Sequence, residues 1–164
     1  PMERKSIILV FGILIFFACK EDKKPVSIGV AIKSEKSRPS IKKELADQGF
    51  QTFEYVDEQT KDTILMQQYF MAFLKSGPER SQDKAAADSI QSLHLAHLGR
   101  MYKEGYADIS GPFDDDGDIR GITIYNVPTI QMADSLANLD PAVQAGRLII
   151  EVHPWWAAKE SSLR

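Results

Sequence analysis

The 164-residue chain has one cysteine, three histidines and two tryptophans. Its longest apolar run is twelve residues, Ile7 to Ala18. A single cysteine excludes a disulfide within the chain. Three histidines leave little room for a zinc centre, which usually takes three protein ligands even when catalytic. Twenty basic residues against twenty-three acidic ones, with three neutral histidines, give a net charge of −3. That leaves no broad basic surface and argues against a nucleic-acid partner, because such binding rests on neutralising phosphates. The apolar run is too short to cross a bilayer, which takes roughly 20 residues at 1.5 Å rise each.

What that run does have is the layout of a signal peptide: Arg4 and Lys5 before it, and the small residue Ala18 at its end. Residues 1–18 are therefore expected to be a cleaved signal. Phe16-Phe17-Ala18-Cys19 resembles a bacterial lipobox, with Phe16 where Leu is usual. The resemblance implies that Cys19 is acylated and becomes the first mature residue. Such acylation is expected to anchor the protein to the cell envelope, with the outer membrane favoured, each buried acyl methylene contributing about 0.8 kcal/mol. The alternative is a plain secretory peptide with an incidental cysteine.

Residues 19–63 are polar and rich in charge, Ser and Pro, and read as a lipidated N-terminus followed by a tether. Within it Val26 to Ile32 suits a short strand, and Ile41 to Gln48 suits one or two helical turns ended by Gly49. Organised sequence is expected over residues 64–157, with a tail at 158–164. Ile64 to Leu74 is apolar on both alternating sets, as in a strand covered on both faces. Asp83 to Glu104 reads as a helix ended by Gly105. At 100° per residue Ala86, Ala87, Ile90, Leu93, His94, His97, Leu98 and Met101 share an arc about 140° wide. Leu95 and Tyr102 fall outside it.

Tyr106 to Ser110 and Ile119 to Val127 then form a hairpin, with a tight turn suggested by Asp116-Gly117. Thr129 caps a helix running to about Leu139, Asp140-Pro141 stops it, and Arg147 to His153 is a last strand ended by Pro154. This order predicts an α+β fold of the ferredoxin-like βαββαβ kind, a four-stranded antiparallel sheet with both helices on one face. The bare face, and the doubly apolar first strand, predict a homodimer packed sheet on sheet.

His94-Leu95-Ala96-His97-Leu98, Glu104-Gly105, Gly111-Pro112, Arg120-Gly121, Asp140-Pro141 and Ala145-Gly146 follow one another in an order and spacing that resemble the YciI-like (YCII-related) family, from about Tyr69 to Trp155. The resemblance implies a dimeric α+β barrel with a cleft holding a catalytic His and Asp, here His94 and Asp140. Some relatives are similar to dehydrochlorinases and lactone isomerases acting on ring compounds, so the family implies no single reaction. The chemistry suits the pair. Imidazole takes and gives protons near neutrality, and a carboxylate on its second nitrogen fixes the tautomer. Elimination, isomerisation or enolisation needs only that, plus a donor for developing oxyanion charge. Arg120 or a backbone amide near Gly111 is the candidate, as substrate-binding groups. The competing account is a buried histidine bonded to an aspartate that caps the next turn.

Other clusters carry less. His94 and His97 share a helix face, but only His153 remains as a third histidine, so no metal and no cofactor are expected. Asp114-Asp115-Asp116-Gly117-Asp118 fails as a calcium loop: with Gly117 at position six, Pro112 and Thr123 would fall at the first and twelfth ligand positions. Trp155 and Trp156 suit an interface better than a ring-stacking site. The expectation is thus an envelope-anchored domain binding a small ligand around His94 and Asp140, with proton transfer as its chemistry. The alternatives are a non-catalytic dimeric binding or assembly module and an accessory subunit of an envelope complex.

Overall fold

The computed structural model describes residues 36–159. The signal peptide, Cys19, the strand expected at Val26 to Ile32 and all but the first two residues of the expected tail lie outside them. Nine elements follow in order: helix α1 (Arg38–Asp47), strands β1 (Thr52–Val56) and β2 (Thr63–Ser76), helix α2 (Lys84–Lys103), strands β3 (Ala107–Pro112) and β4 (Ile119–Tyr125), helices α3 (Ile130–Asn138) and α4 (Pro141–Gln144), and strand β5 (Leu148–Ala158). Among the described residues no helix is long and apolar enough to cross a membrane.

The helix boundaries follow local signals. The Asp83 side chain accepts from the Ala86 N–H at 2.8 Å and starts α2. Thr129 does the same for α3 through Met132, supplying partners that the first turn of a helix lacks. Gly49 and Gly105 follow α1 and α2 with φ of 84° and 78°, a left-handed conformation that glycine reaches without steric cost.

β2 organises the sheet. β5 pairs along one of its edges from Met66 to Ser76, while β4 pairs along the other from Phe70 to Lys75 and β3 pairs beyond β4. All pairs are antiparallel, so from β2 onward the expected succession and sheet are present. β1 adds a fifth strand, meeting Thr63 to Gln67 on the same edge as β4. Residues 38–56 therefore belong to the domain: the helical turns near Ile41 are longer than expected, and β1 lies in what was read as tether.

The doubly apolar character of β2 has its own explanation. Buried positions run Leu65, Gln67, Tyr69, then change face to Phe70, Ala72, Leu74. The second set faces α2 and α3, where Phe70, Ala72 and Tyr125 meet Met101, Ala133 and Ala137. The first set lies on the side of the sheet that carries α1. Leu45 of α1 is buried, and Lys42 of α1 is paired with Glu54, the β1 residue opposite Leu65. α1 thus lies on this side of the strand's first half within the same chain. Farther along, the face away from α2 carries Met71, Phe73, Ile122 and Ile124, with Ile109 and Ile149 exposed beside them.

Three local expectations change. Phe113 to Asp118 is a six-residue loop and not a tight turn. Gly117 does not take positive φ. Its N–H bonds the Asp115 carboxylate at 2.9 Å instead. Pro154 does not end the last strand, which continues to Ala158. β5 pairs only with β2, and an edge strand tolerates a missing N–H on its free side. The buried stripe of α2 is also narrower than the arc: His94, His97 and Met101 are buried, whereas Ala86 and Leu93 are exposed.

Candidate active site

His94 sits in the middle of α2 and Asp140 between α3 and α4, 46 residues later, yet His94 Nδ1 and Asp140 Oδ2 lie 2.6 Å apart. Both residues are buried. The other carboxylate oxygen accepts the Ala142 N–H at 2.8 Å and caps α4, whose first residue, Pro141, has no N–H to satisfy. Asp140 is thus held at both oxygens. An ionised carboxylate only accepts, so Nδ1 carries the proton in this contact and Nε2 of a neutral ring keeps its lone pair. Nε2 makes no hydrogen bond among the described residues.

His94 lines a cavity of about 440 Å³ between α2, the β3–β4 hairpin and the start of β5. Both substrate-binding candidates, Gly111 and Arg120, line the same cavity. Arg120 Nη1 donates to the carbonyls of Asp115 at 3.3 Å and Gly117 at 2.9 Å, so the hairpin loop holds the guanidinium in place. Gly121, paired with Pro112 across the hairpin, has no room for a side chain, since a Cβ there would lie 2.6 Å from the Gly111 carbonyl oxygen. Leu74, Leu98 and Leu148 supply apolar wall. Asp140 is not part of the wall and stands behind the imidazole.

Two further arginines, which the sequence reading did not single out, complete the lining: Arg80 and Arg147. Arg147 Nη1 donates to Gln82 Oε1 at 2.7 Å. The close approach that brings these segments together is visible at Gly77, whose N–H bonds the Arg147 carbonyl at 2.9 Å. A Cβ on Gly77 would sit 2.1 Å from the Gly146 carbonyl oxygen. Gly77-Pro78 and Ala145-Gly146 were the available signals, but they do not show that the two glycines meet.

The remaining aromatic and histidine candidates lie elsewhere. His97 is buried one turn from His94 without reaching the cavity. Its Nδ1 lies 3.2 Å from Arg100 Nη2. Because guanidinium only donates, the ring proton sits on Nε2, which is buried and makes no well-formed hydrogen bond among the described residues. Burial holds the His97 pKa below its ordinary value, with Arg100 and His94 adding to the effect and Asp140 opposing it. His153 bonds Glu151 at 2.8 Å, on the sheet face away from α2. Among the described residues no three His, Cys, Asp or Glu side chains gather to hold a metal. Trp155 lies near Tyr69 and Trp156 stacks edge-on to Phe53 at 4.9 Å, so neither reaches the cavity. Below the site, burial and the negative charge of Asp140 push the Tyr125 phenol above its usual range.

No family model matches the chain, and no curated protein matches it. Among solved structures it is similar to 5-chloro-2-hydroxyhydroquinone dehydrochlorinase from Burkholderia phenoliruptrix in complex with 2,5-dihydroxybenzoquinone. The two share 22% identity and a TM-score of 0.40 over 53% of this chain and 92% of that one.

Proposed function

We propose that this domain binds a small molecule in the cavity beside His94 and exchanges a proton with it through His94 Nε2, in an elimination, isomerisation or enolisation. One observation carries the reading: an imidazole whose Nδ1 is held by a capped carboxylate at 2.6 Å while the ring lines a cavity with Nε2 unengaged. Geometry of this kind fixes the tautomer before any ligand arrives, as a general base requires. Arg120 is the candidate for stabilising negative charge on the reacting molecule. The ordered motifs resembling the YciI-like family support the same pair. The lipobox-like Phe16-Phe17-Ala18-Cys19 supports an envelope lipoprotein, and a mass spectrum of the mature chain without acyl groups on Cys19 would remove that part.

A His94→Gln variant tests the site. It keeps similar bulk, so it should cost no more than about 1 kcal/mol of stability, yet abolish turnover of any ligand that stabilises the wild-type protein in a thermal-shift screen. Ligand stabilisation and turnover that survive His94→Gln would refute it. A second reading, a non-catalytic dimeric module, draws on the apolar sheet face at Met71, Phe73, Ile122 and Ile124. It predicts a homodimer in sedimentation that Phe73→Asp dissociates. Dimerisation alone is compatible with the first reading, and a silent His94→Gln would leave only the second.

A further inference from the structure

The cavity beside His94 is lined by three arginines, Arg80, Arg120 and Arg147, and by no aspartate or glutamate. None of the three lies within ion-pair distance of a carboxylate among the described residues: the pairs formed there use Lys36, Lys42, Lys43, Lys75, Lys84, His94 and His153. That is unusual company for a chain whose net charge is −3. Exposed guanidinium groups are readily solvated, but Arg120 and Arg147 are half-buried, and placing unpaired like charges around one concavity is unfavourable without a counter-charge.

Their own hydrogen bonds position them without neutralising them. Arg120 is held by two backbone carbonyls through Nη1. Arg147 is held by the neutral Gln82 side chain through Nη1. Arg80 makes one long contact, 3.4 Å, to the Ser76 hydroxyl. Each guanidinium therefore keeps unused N–H donors, arranged in the planar fork that matches an oxyanion. A concave site lined by one sign of charge also concentrates ligands of the opposite sign.

We infer that the ligand of this cavity is a small organic oxyanion, carrying a carboxylate or phosphate that the three arginines hold while its remainder lies against His94 and the apolar wall. The inference rests on the reading of the cavity as a small-molecule site and narrows the substrate to one class. Anchoring an anion there leaves His94 Nε2 facing the rest of the molecule and fixes its orientation. A carboxylate or phosphate would also bring its own negative charge next to any enolate formed beside it, and the same arginines offset that charge.

Matched probes test it with the full-length chain: benzoate against benzamide, and phenyl phosphate against phenol, with inorganic phosphate as the simplest anion. Binding is followed by calorimetry at low and high salt, and by the ring nitrogen resonances of His94. The anions should bind, weaken as salt rises, and lose roughly tenfold to a hundredfold in affinity in Arg147→Gln or Arg120→Gln, the loss typical of one charge-assisted hydrogen bond. Arg80→Gln, at an exposed residue with one weak contact, guards against a folding artefact and should weaken binding in the same direction. The carboxylate and phosphate arms decide which oxyanion is preferred. Failure of every anion to bind, or equal binding of the neutral probes with all arginine variants silent, overturns the inference. Neutral probes that shift His94 while the arginine variants are silent would still leave the proton-transfer site standing. Anions that bind through the arginines and react unchanged in His94→Gln would refute that site and leave the anion class intact.

Discussion

Asp140 performs two tasks with its two oxygens, and replacing it by asparagine separates them. Oδ1 caps α4 through the Ala142 N–H and Oδ2 accepts from His94 Nδ1. Asn caps helices about as well as Asp, so Asp140→Asn should keep the α4 start. With its oxygen on Ala142, however, the new amide presents N–H to His94, and a donor facing Nδ1 forces the ring proton onto Nε2. The cost is the difference between a charge-assisted and a neutral hydrogen bond, about 1 kcal/mol. Asp140→Ala loses the cap as well, about 1 kcal/mol, and strands a buried Nδ1–H at about 1–3 kcal/mol. It should therefore cost about 2–4 kcal/mol in total. Urea melts of the two variants measure the gap, and long-range nitrogen–proton spectra read the tautomer of His94. Proton transfer should vanish in the asparagine variant although the fold survives. Equal destabilisation by the two substitutions would refute the division of labour. So would a His94 ring that stays protonated at Nδ1 in Asp140→Asn, since the carboxylate would then not be what fixes the tautomer.

Gly77→Ala should destabilise the domain by about 1–3 kcal/mol, the usual cost of overpacking, because its Cβ would meet the Gly146 carbonyl oxygen at 2.1 Å; a denaturant melt with an unchanged midpoint would contradict the close approach. Leu45→Ala should cost about 2 kcal/mol or more as a buried leucine, whereas a residue in a tether would cost nothing measurable. His97 has a folded pKa below its ordinary value, so below about pH 6.5 the unfolded chain takes up a proton before the folded one. Stability should fall as pH drops through that value toward the depressed folded pKa, and His97→Gln should flatten this limb. Parallel profiles of wild type and variant between about pH 7 and pH 5 would show that His97 is not its source.

Helix starts and stops were legible because each is decided by atoms a few residues apart. Asp83, Thr129 and Asp140 cap the helices that follow them, and Gly49 and Gly105 end theirs. The alternation of strand residues and the two-helix order pointed to the antiparallel sheet from β2 onward for the same reason. β1 was not legible: Thr52 to Val56 has one exposed charge and three exposed apolar residues. It forms a strand because the overlong β2 offers a free edge beside it.

The sequence by itself singled out His94 and Asp140 as a candidate pair, through motifs that resemble the YciI-like family, along with the candidates Gly111 and Arg120; that the two side chains meet is a matter of packing. It could not decide what β2's two apolar faces are for. A period of two says that both faces want cover, and only the tertiary structure shows α1 on the Leu65 side and α2 with α3 on the Phe70 side. Nor could it assemble the arginines. Arg80 and Arg147 are separated in sequence by α2, β3, β4, α3 and α4 and line one cavity where Gly77, having no side chain, lets its backbone approach that of Gly146. Local propensity acts along the chain, whereas a cavity's charge is a sum over segments that only packing brings together.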